Sequence, residues 1–139
     1  FQEGYINLGM IYGILGRHPE AIEAYKNILA LNPNHQKALF NLGLVLMDES
    51  RFLEAIPPLK QAINLNKKNT DAHYSLGLVY GNLNRYQEAQ NQYRKVLQID
   101  PKHSGAYEKL ALTKQRMENT TISVQKDIFP KRSGIILVP

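Results

Sequence analysis

The 139-residue sequence contains no cysteine and no tryptophan. Without cysteine there is no disulfide framework, no thiolate metal site and no cysteine nucleophile, and the absence fits an oxidising or a reducing compartment equally. Long hydrophobic runs are also missing. The densest, Ile135 to Val138, falls far short of the ~18 apolar residues of a spanning helix, so no membrane span is expected. Phosphate-binding glycine motifs, HExxH and GxSxG are absent. The four histidines, His18, His35, His73 and His103, are scattered, with no pair at i, i+3 or i+4, so no metal site is expected. Carboxylates come singly apart from Asp48-Glu49, which suits a solvated face better than an acid/base pair. Neither an enzyme activity nor a cofactor is expected. Phe1 in place of an initiator Met points to a fragment or a processed product.

What the chain does have is repetition. Tyr5-Ile6-Asn7-Leu8-Gly9 returns as Leu39-Phe40-Asn41-Leu42-Gly43, His73-Tyr74-Ser75-Leu76-Gly77 and Tyr107-Glu108-Lys109-Leu110-Ala111, each 34 residues on. Ala21, Ala55 and Ala89 keep the same step, as do Pro33 and Pro101, with Lys67 between them. Each period reads as two amphipathic helices. In the first, Tyr5, Leu8 and Tyr12 share one face, Gly16-Arg17-His18-Pro19 breaks the pattern, and a second helix from about Pro19 to Leu31 turns Ala21, Tyr25 and Ile28 inward. The repeated glycines and alanines imply close approach of two backbones. Pro57-Pro58 interrupts the second helix of the middle period and predicts a kink or a delayed helix start there.

These positions resemble the tetratricopeptide repeat, whose order of large, Leu, small, aromatic, Ala, aromatic, Ala and Pro falls on Tyr5, Leu8, Gly9, Tyr12, Ala21, Tyr25, Ile28 and Pro33 and again on His73, Leu76, Gly77, Tyr80, Ala89, Tyr93, Val96 and Pro101. The resemblance implies an all-α fold, a right-handed α-solenoid of helix-turn-helix hairpins. Units are expected at residues 2–35, 36–69 and 70–103, followed by a capping half unit at 104–119 and a non-repeat tail at 120–139. Lys114, Gln115 and Arg116 give the half unit a polar outer face. The start has no such cap, so further repeats upstream are expected. His73 is expected to be a packed interface residue.

The net charge of +5 is spread over these segments as −1, +2, +1, +1 and +2, with no dense basic stripe, so nucleic acid is not an expected partner. The resemblance places positions two, five, six, nine, twelve and thirteen of each unit on a concave face. They include Ile6, Asn7, Met10, Phe40, Asn41, Leu44, Met47, Tyr74, Leu78 and Asn82, a strongly apolar set for a surface meeting water. A protein or peptide partner in this groove is expected, with the asparagines fixing its backbone. The carboxylate clamp of the chaperone-cofactor branch is matched only at Asn41, and the asparagine ladder of O-linked N-acetylglucosamine transferases only at Asn7 and Asn41. Two alternatives remain open: a substrate-presenting region of a larger enzyme such as a glycosyltransferase, or a self-assembling module.

The tail is rich in β-branched residues and interrupted by Pro130 and Gly134, which argues against a helix. Its Ile128, Phe129 and Ile135 to Val138 could occupy an apolar groove of their own chain or of a second copy in a homo-oligomer, or the tail could be disordered or lead into another domain.

Overall fold

A computed structural model describes residues 2–129, and among them every regular element is helical. Helices α1 (Gln2–Ile14), α3 (Gln36–Asp48), α5 (Thr70–Asn82) and α7 (Ser104–Ile128) alternate with α2 (His18–Leu31), α4 (Phe52–Leu65) and α6 (Tyr86–Ile99). Starts recur every 34 residues in both series. Each helix packs on its neighbours in sequence, and α1 touches α3 and α3 touches α5 across an inner layer.

Two turn chemistries, each repeated, set this geometry. Between paired helices the chain enters the left-handed region at Gly16, Ser50 and Asn84 (φ +71°, +56° and +58°). The following amide then reaches back to the helix end: Arg17 N–H to Tyr12 O, Arg51 to Leu46 O and Arg85 to Tyr80 O, at 2.8, 2.8 and 2.9 Å. This is the Schellman arrangement, which satisfies the last carbonyls of the helix. Arg17, Arg51 and Arg85 also pair with Glu20, Glu54 and Glu88. Between units, Asn32, Asn66 and Asp100 accept from the backbone N–H two residues on (3.2, 3.1 and 3.1 Å), and His35, Asn69 and His103 cap α3, α5 and α7. His35 and His103 thus have local structural roles as acceptors at Nδ1.

The core runs lengthwise through the stack. Ala21, Ala55 and Ala89 are fully buried, and the glycines opposite them leave room for Tyr25, Leu59 and Tyr93. A Cβ at Gly9, Gly43 or Gly77 would stand 2.7, 2.6 or 2.5 Å from those side chains, well inside van der Waals contact. His73 is buried, with Nδ1 on Gln92 Oε1 (2.8 Å) and Nε2 donating to Lys67 O (3.0 Å), so it is an interface side chain.

One of two alternatives and one boundary need correction: the delayed start at Pro57-Pro58 and the end of the capping helix. Helix α4 starts on register at Phe52 and carries Pro57 and Pro58 inside it, so its start is not delayed. The carbonyls those prolines leave unserved belong to Leu53 and Glu54, exposed residues where water can substitute, while the Pro58 ring is buried as an apolar side chain. Helix α7 does not stop near Asn119 but continues to Ile128. Thr120 and Thr121 donate their hydroxyls to Arg116 O and Met117 O (2.9 and 3.0 Å), which absorbs their polar groups within the helix. Phe129 leaves helical geometry (φ −122°, ψ 69°), as expected of a residue preceding proline. The Ile135 to Val138 run lies outside the described residues.

Candidate functional site

Helices α1, α3, α5 and α7 present the inner face, and most of the expected groove residues lie on it with accessible surface. Asn7, Met10 and Asn82 are exposed; Phe40, Asn41, Leu44, Met47, Tyr74 and Leu78 are half-buried. Ile6 differs. It is buried in the core cluster with Tyr25 and Ile28 and cannot offer a contact surface, because the turn of α1 that carries it packs inward. Ser75, the third rung of the polar series begun by Asn7 and Asn41, is buried as well.

Two clefts gather five of these residues, Met10, Asn41 and Leu44 in one and Leu78 and Asn82 in the other, while Asn7, Phe40, Met47 and Tyr74 line neither. One, of about 280 Å³, is walled by Met10, Gly13 and Ile14 of α1 and by Asn41, Leu44 and Asp48 of α3, with Tyr25 and Val45 beneath. Burial pushes the Tyr25 hydroxyl above its ordinary range, and a hydrogen bond with the Asn41 side chain works against that shift. The second cleft, of about 160 Å³, joins Leu78, Gly81 and Asn82 of α5 to Lys109, Leu112 and Arg116 of α7, with Tyr93 in its floor. The Tyr93 hydroxyl is pushed strongly upward, chiefly by burial and then by Tyr74. Asn82 donates Nδ2–H to Leu78 O at 2.8 Å, leaving its carbonyl oxygen to accept from a ligand. Tyr74 lies between the two clefts along the inner layer, its ring 5.8 Å from Tyr93 and 4.9 Å from His103.

The structure therefore brings Met10, Asn41 and Leu44 together at one end and Leu78 and Asn82 at the other. It adds Lys109, Leu112 and Arg116, which the sequence reading omitted although the groove positions six, nine and thirteen of the half unit select them. Neither Lys109 nor Arg116 has an ion-pair partner among the described residues. The groove is thus acidic at Asp48 and basic at Lys109 and Arg116. No group of three or more His, Asp or Glu side chains able to hold a metal occurs among the described residues, and no described helix is long and apolar enough to cross a membrane.

A comparison with curated proteins returned no match. Among solved structures, the crystal structure of MamA is 31% identical, with a TM-score of 0.82 over 84% of this chain and 68% of that one. The first repeat domain of Spaghetti (RPAP3), bound to the HSP90 peptide SRMEEVD, is 23% identical with a TM-score of 0.81, covering 84% and 93%. The second such domain of human RPAP3, in complex with the HSP70 peptide SGPTIEEVD, is 23% identical with a TM-score of 0.75, covering 79% and 92%. At that identity these two likenesses concern the fold alone. The tetratricopeptide repeat family model matches residues 3–35 and 70–103, and a second TPR repeat model matches 44–84. The register of helices and the matched segments agree, and the chain belongs to the tetratricopeptide repeat family.

Proposed function

We propose that this chain is a non-catalytic interaction scaffold that binds an extended peptide or amphipathic helix of a partner protein along its concave face. The observation that carries the reading is the row of apolar side chains left accessible on the inner helices, Met10 and Ile14 exposed, then Phe40, Leu44, Met47, Tyr74 and Leu78 half-buried. A folded surface rarely leaves such a continuous strip to water without a use. Methionine at two of these positions suits a surface that adapts to its ligand. Solved relatives of the same fold bind short peptides, which supports the reading. The unpaired Lys109 and Arg116 favour an acidic segment of the ligand at the α7 end, with amides from Asn7, Asn41 and Asn82 positioned to meet its backbone.

Selection from a displayed peptide library, followed by calorimetry on the winners, tests this. Leu44→Glu with Leu78→Glu should weaken binding at least tenfold, and Lys109→Glu should weaken acidic peptides selectively. Leu53→Glu, on the exposed face of the outer helix α4, should leave affinity unchanged. Peptides whose affinity is insensitive to the inner-face pair would refute the assignment.

A further inference from the structure

The 34-residue period builds one cleft twice. Every residue lining the α1–α3 cleft has its counterpart two periods on in the α5–α7 cleft, whose walls and floor come from α5, α6 and α7 alone. The frame is kept: Gly13, Tyr25 and Leu44 recur as Gly81, Tyr93 and Leu112. Four positions change character. Ile14 gives way to Asn82, Asn41 to Lys109, Val45 to Thr113 and Asp48 to Arg116. The lining charge goes from −1 at Asp48 to +2 at Lys109 and Arg116, and no carboxylate lines the second cleft. Neither cation has an ion-pair partner among the described residues.

The exchange of Asn41 for Lys109 also frees the hydroxyl beneath. Tyr25 shares a hydrogen bond with the Asn41 side chain, whereas the Lys109 ammonium at the same place donates but cannot accept. Tyr93 is 1% exposed, and its hydroxyl makes no hydrogen bond among the described residues. Every side-chain polar atom sealed from solvent there has a partner, so this hydroxyl must open onto the cleft, 3.8 Å from where a Cβ on Gly81 would stand. Burial raises its ionisation well above the ordinary range and keeps it a donor. The other hydroxyls of the lining are engaged: Tyr86 donates to Asn84 Oδ1 at 2.8 Å, and Thr113 to the carbonyls of Lys109 and Leu110 at 2.9 and 3.0 Å. Lys109 and Arg116 stand seven residues apart, about 10 Å along α7, and bracket the space. A buried donor between two unpaired cations calls for an oxyanion. Charge then selects among oxyanions. A carboxylate brings −1, while a phosphomonoester brings about −1.5 to −2 at pH 7 and three acceptor oxygens, which matches two cations and one hydroxyl.

We propose that the α5–α7 cleft is the subsite for a phosphorylated serine or threonine of the groove ligand, with Lys109 and Arg116 neutralising the phosphoryl group and the Tyr93 hydroxyl donating to it from the floor. The Asn82 carbonyl is left for a backbone N–H of the same ligand. For the peptide this rests on the proposed groove function; the anion site stands on the cleft alone.

Proton–nitrogen NMR of the full chain tests the anion site, following Gly81, the Asn82 side-chain amide and the Arg116 Nε–H while inorganic phosphate or acetate is added at constant ionic strength. Phosphate should shift these signals saturably, and acetate should bind at least about tenfold more weakly. Lys109→Ala with Arg116→Ala should abolish saturation, and Tyr93→Phe should weaken it about fivefold. Lys60→Ala with Lys68→Ala, which removes the same charge from exposed positions elsewhere, should change nothing. A displayed peptide library made in three forms, with phosphoserine, glutamate or serine at the centre, tests the ligand. Phosphoserine members should outbind glutamate members about tenfold, and Lys109→Ala with Arg116→Ala should erase the preference. Phosphate shifts that fail to saturate, or that acetate equals, overturn the anion site. Glutamate members that bind as tightly as phosphoserine members overturn the phosphate assignment. Saturable phosphate shifts alongside peptides indifferent to Leu44→Glu with Leu78→Glu would uphold the anion site and overturn the groove function instead.

Discussion

Replacing Gly77 by alanine should destabilise the protein, against the general preference of helices for alanine. The new Cβ would lie 2.5 Å from Cε1, 2.9 Å from Cδ1 and 3.0 Å from Cζ of Tyr93. Carbon contacts are optimal at ~3.5 to 4.0 Å, so the methyl is about 1 Å too close to a ring. Tyr93 is fully buried with its ring tilted against Tyr74, so it can yield only toward the cleft it floors, and otherwise α5 and α6 must separate. Overpacking of this kind costs ~1 to 3 kcal/mol, and the gain from removing a helical glycine is about 1 kcal/mol. The expected net loss is up to roughly 2 kcal/mol, or up to about 8 °C in melting temperature for a chain of this size. Gly81 provides the control on the same helix. A Cβ there meets only the Tyr93 hydroxyl at 3.8 Å, ordinary contact, so Gly81→Ala should be neutral or stabilising by up to ~1 kcal/mol. Urea titrations followed by circular dichroism, fitted with the repeat architecture in mind, read both. Adding Tyr93→Leu to Gly77→Ala should cost less than the sum of the single changes, because the methyl fills part of the space the ring vacates. A Gly77→Ala protein as stable as the Gly81→Ala protein would refute the packing account.

Further outcomes follow from the capping and ionisation pattern. Asn69 accepts the Ala72 N–H at 3.0 Å, so Asn69→Ala should cost ~1 kcal/mol in urea titration. Hydrogen bonds from Arg17 and Arg51 hold the carboxyl groups of Glu20 and Glu54 below their ordinary range, so these contributions are present above the unfolded carboxylate range and lost as pH falls through the folded values. Arg17→Ala with Arg51→Ala should therefore flatten the decline of the denaturation midpoint between about pH 5 and pH 3. At the alkaline end the sign reverses: burial raises Tyr25, Tyr74, Tyr80 and Tyr93, so the folded state holds their protons more tightly than the unfolded one. Stability should fall as pH rises past about 10, and less steeply in Tyr25→Phe with Tyr93→Phe.

The repeat itself was legible because it depends on residue size at fixed intervals: Gly9, Gly43, Gly77 and the three alanines mark close approach regardless of context. The turn chemistry was equally periodic but harder to see. His35 and His103 stand where Asn69 caps α5, yet histidine is not among the usual capping residues, so the series at 35, 69 and 103 reads as unrelated side chains until the acceptor geometry is known. Likewise the Arg-x-x-Glu spacing at residues 17, 51 and 85 is overt, but only the turn shows why it recurs. The burial of Ile6 and the extension of α7 depend on more than local pattern. Ile6 sits at a nominal groove position that α1 rotates inward, and residues 120–128 are helical despite β-branching because threonine hydroxyls find carbonyls within the helix and the first proline comes only at 130.

Packing and site are joined through the same glycines. Where α1 and α5 lack side chains, at Gly9 and Gly77, the rings of Tyr25 and Tyr93 cross from the outer layer, and both tyrosines line the clefts of the inner face. In the middle unit Gly43 faces Leu59, an apolar side chain with no hydroxyl to deliver. The groove thus has polar floors at its two ends and an apolar centre at Phe40, Leu44 and Met47. Phenylalanine at residues 25 and 93 would keep the volume that holds the hairpins together while removing the hydroxyls. Fold stability would then change by the ~1 kcal/mol of a net hydrogen bond at Asn41, whereas the freed Asn41 amide would become available to a ligand. A ligand contacting Asn41 through its backbone should therefore bind Tyr25→Phe more tightly than wild type, and one seated only over Lys109 and Arg116 should not distinguish them. That difference, measured with one peptide against both proteins, locates the ligand along the groove without a structure of the complex.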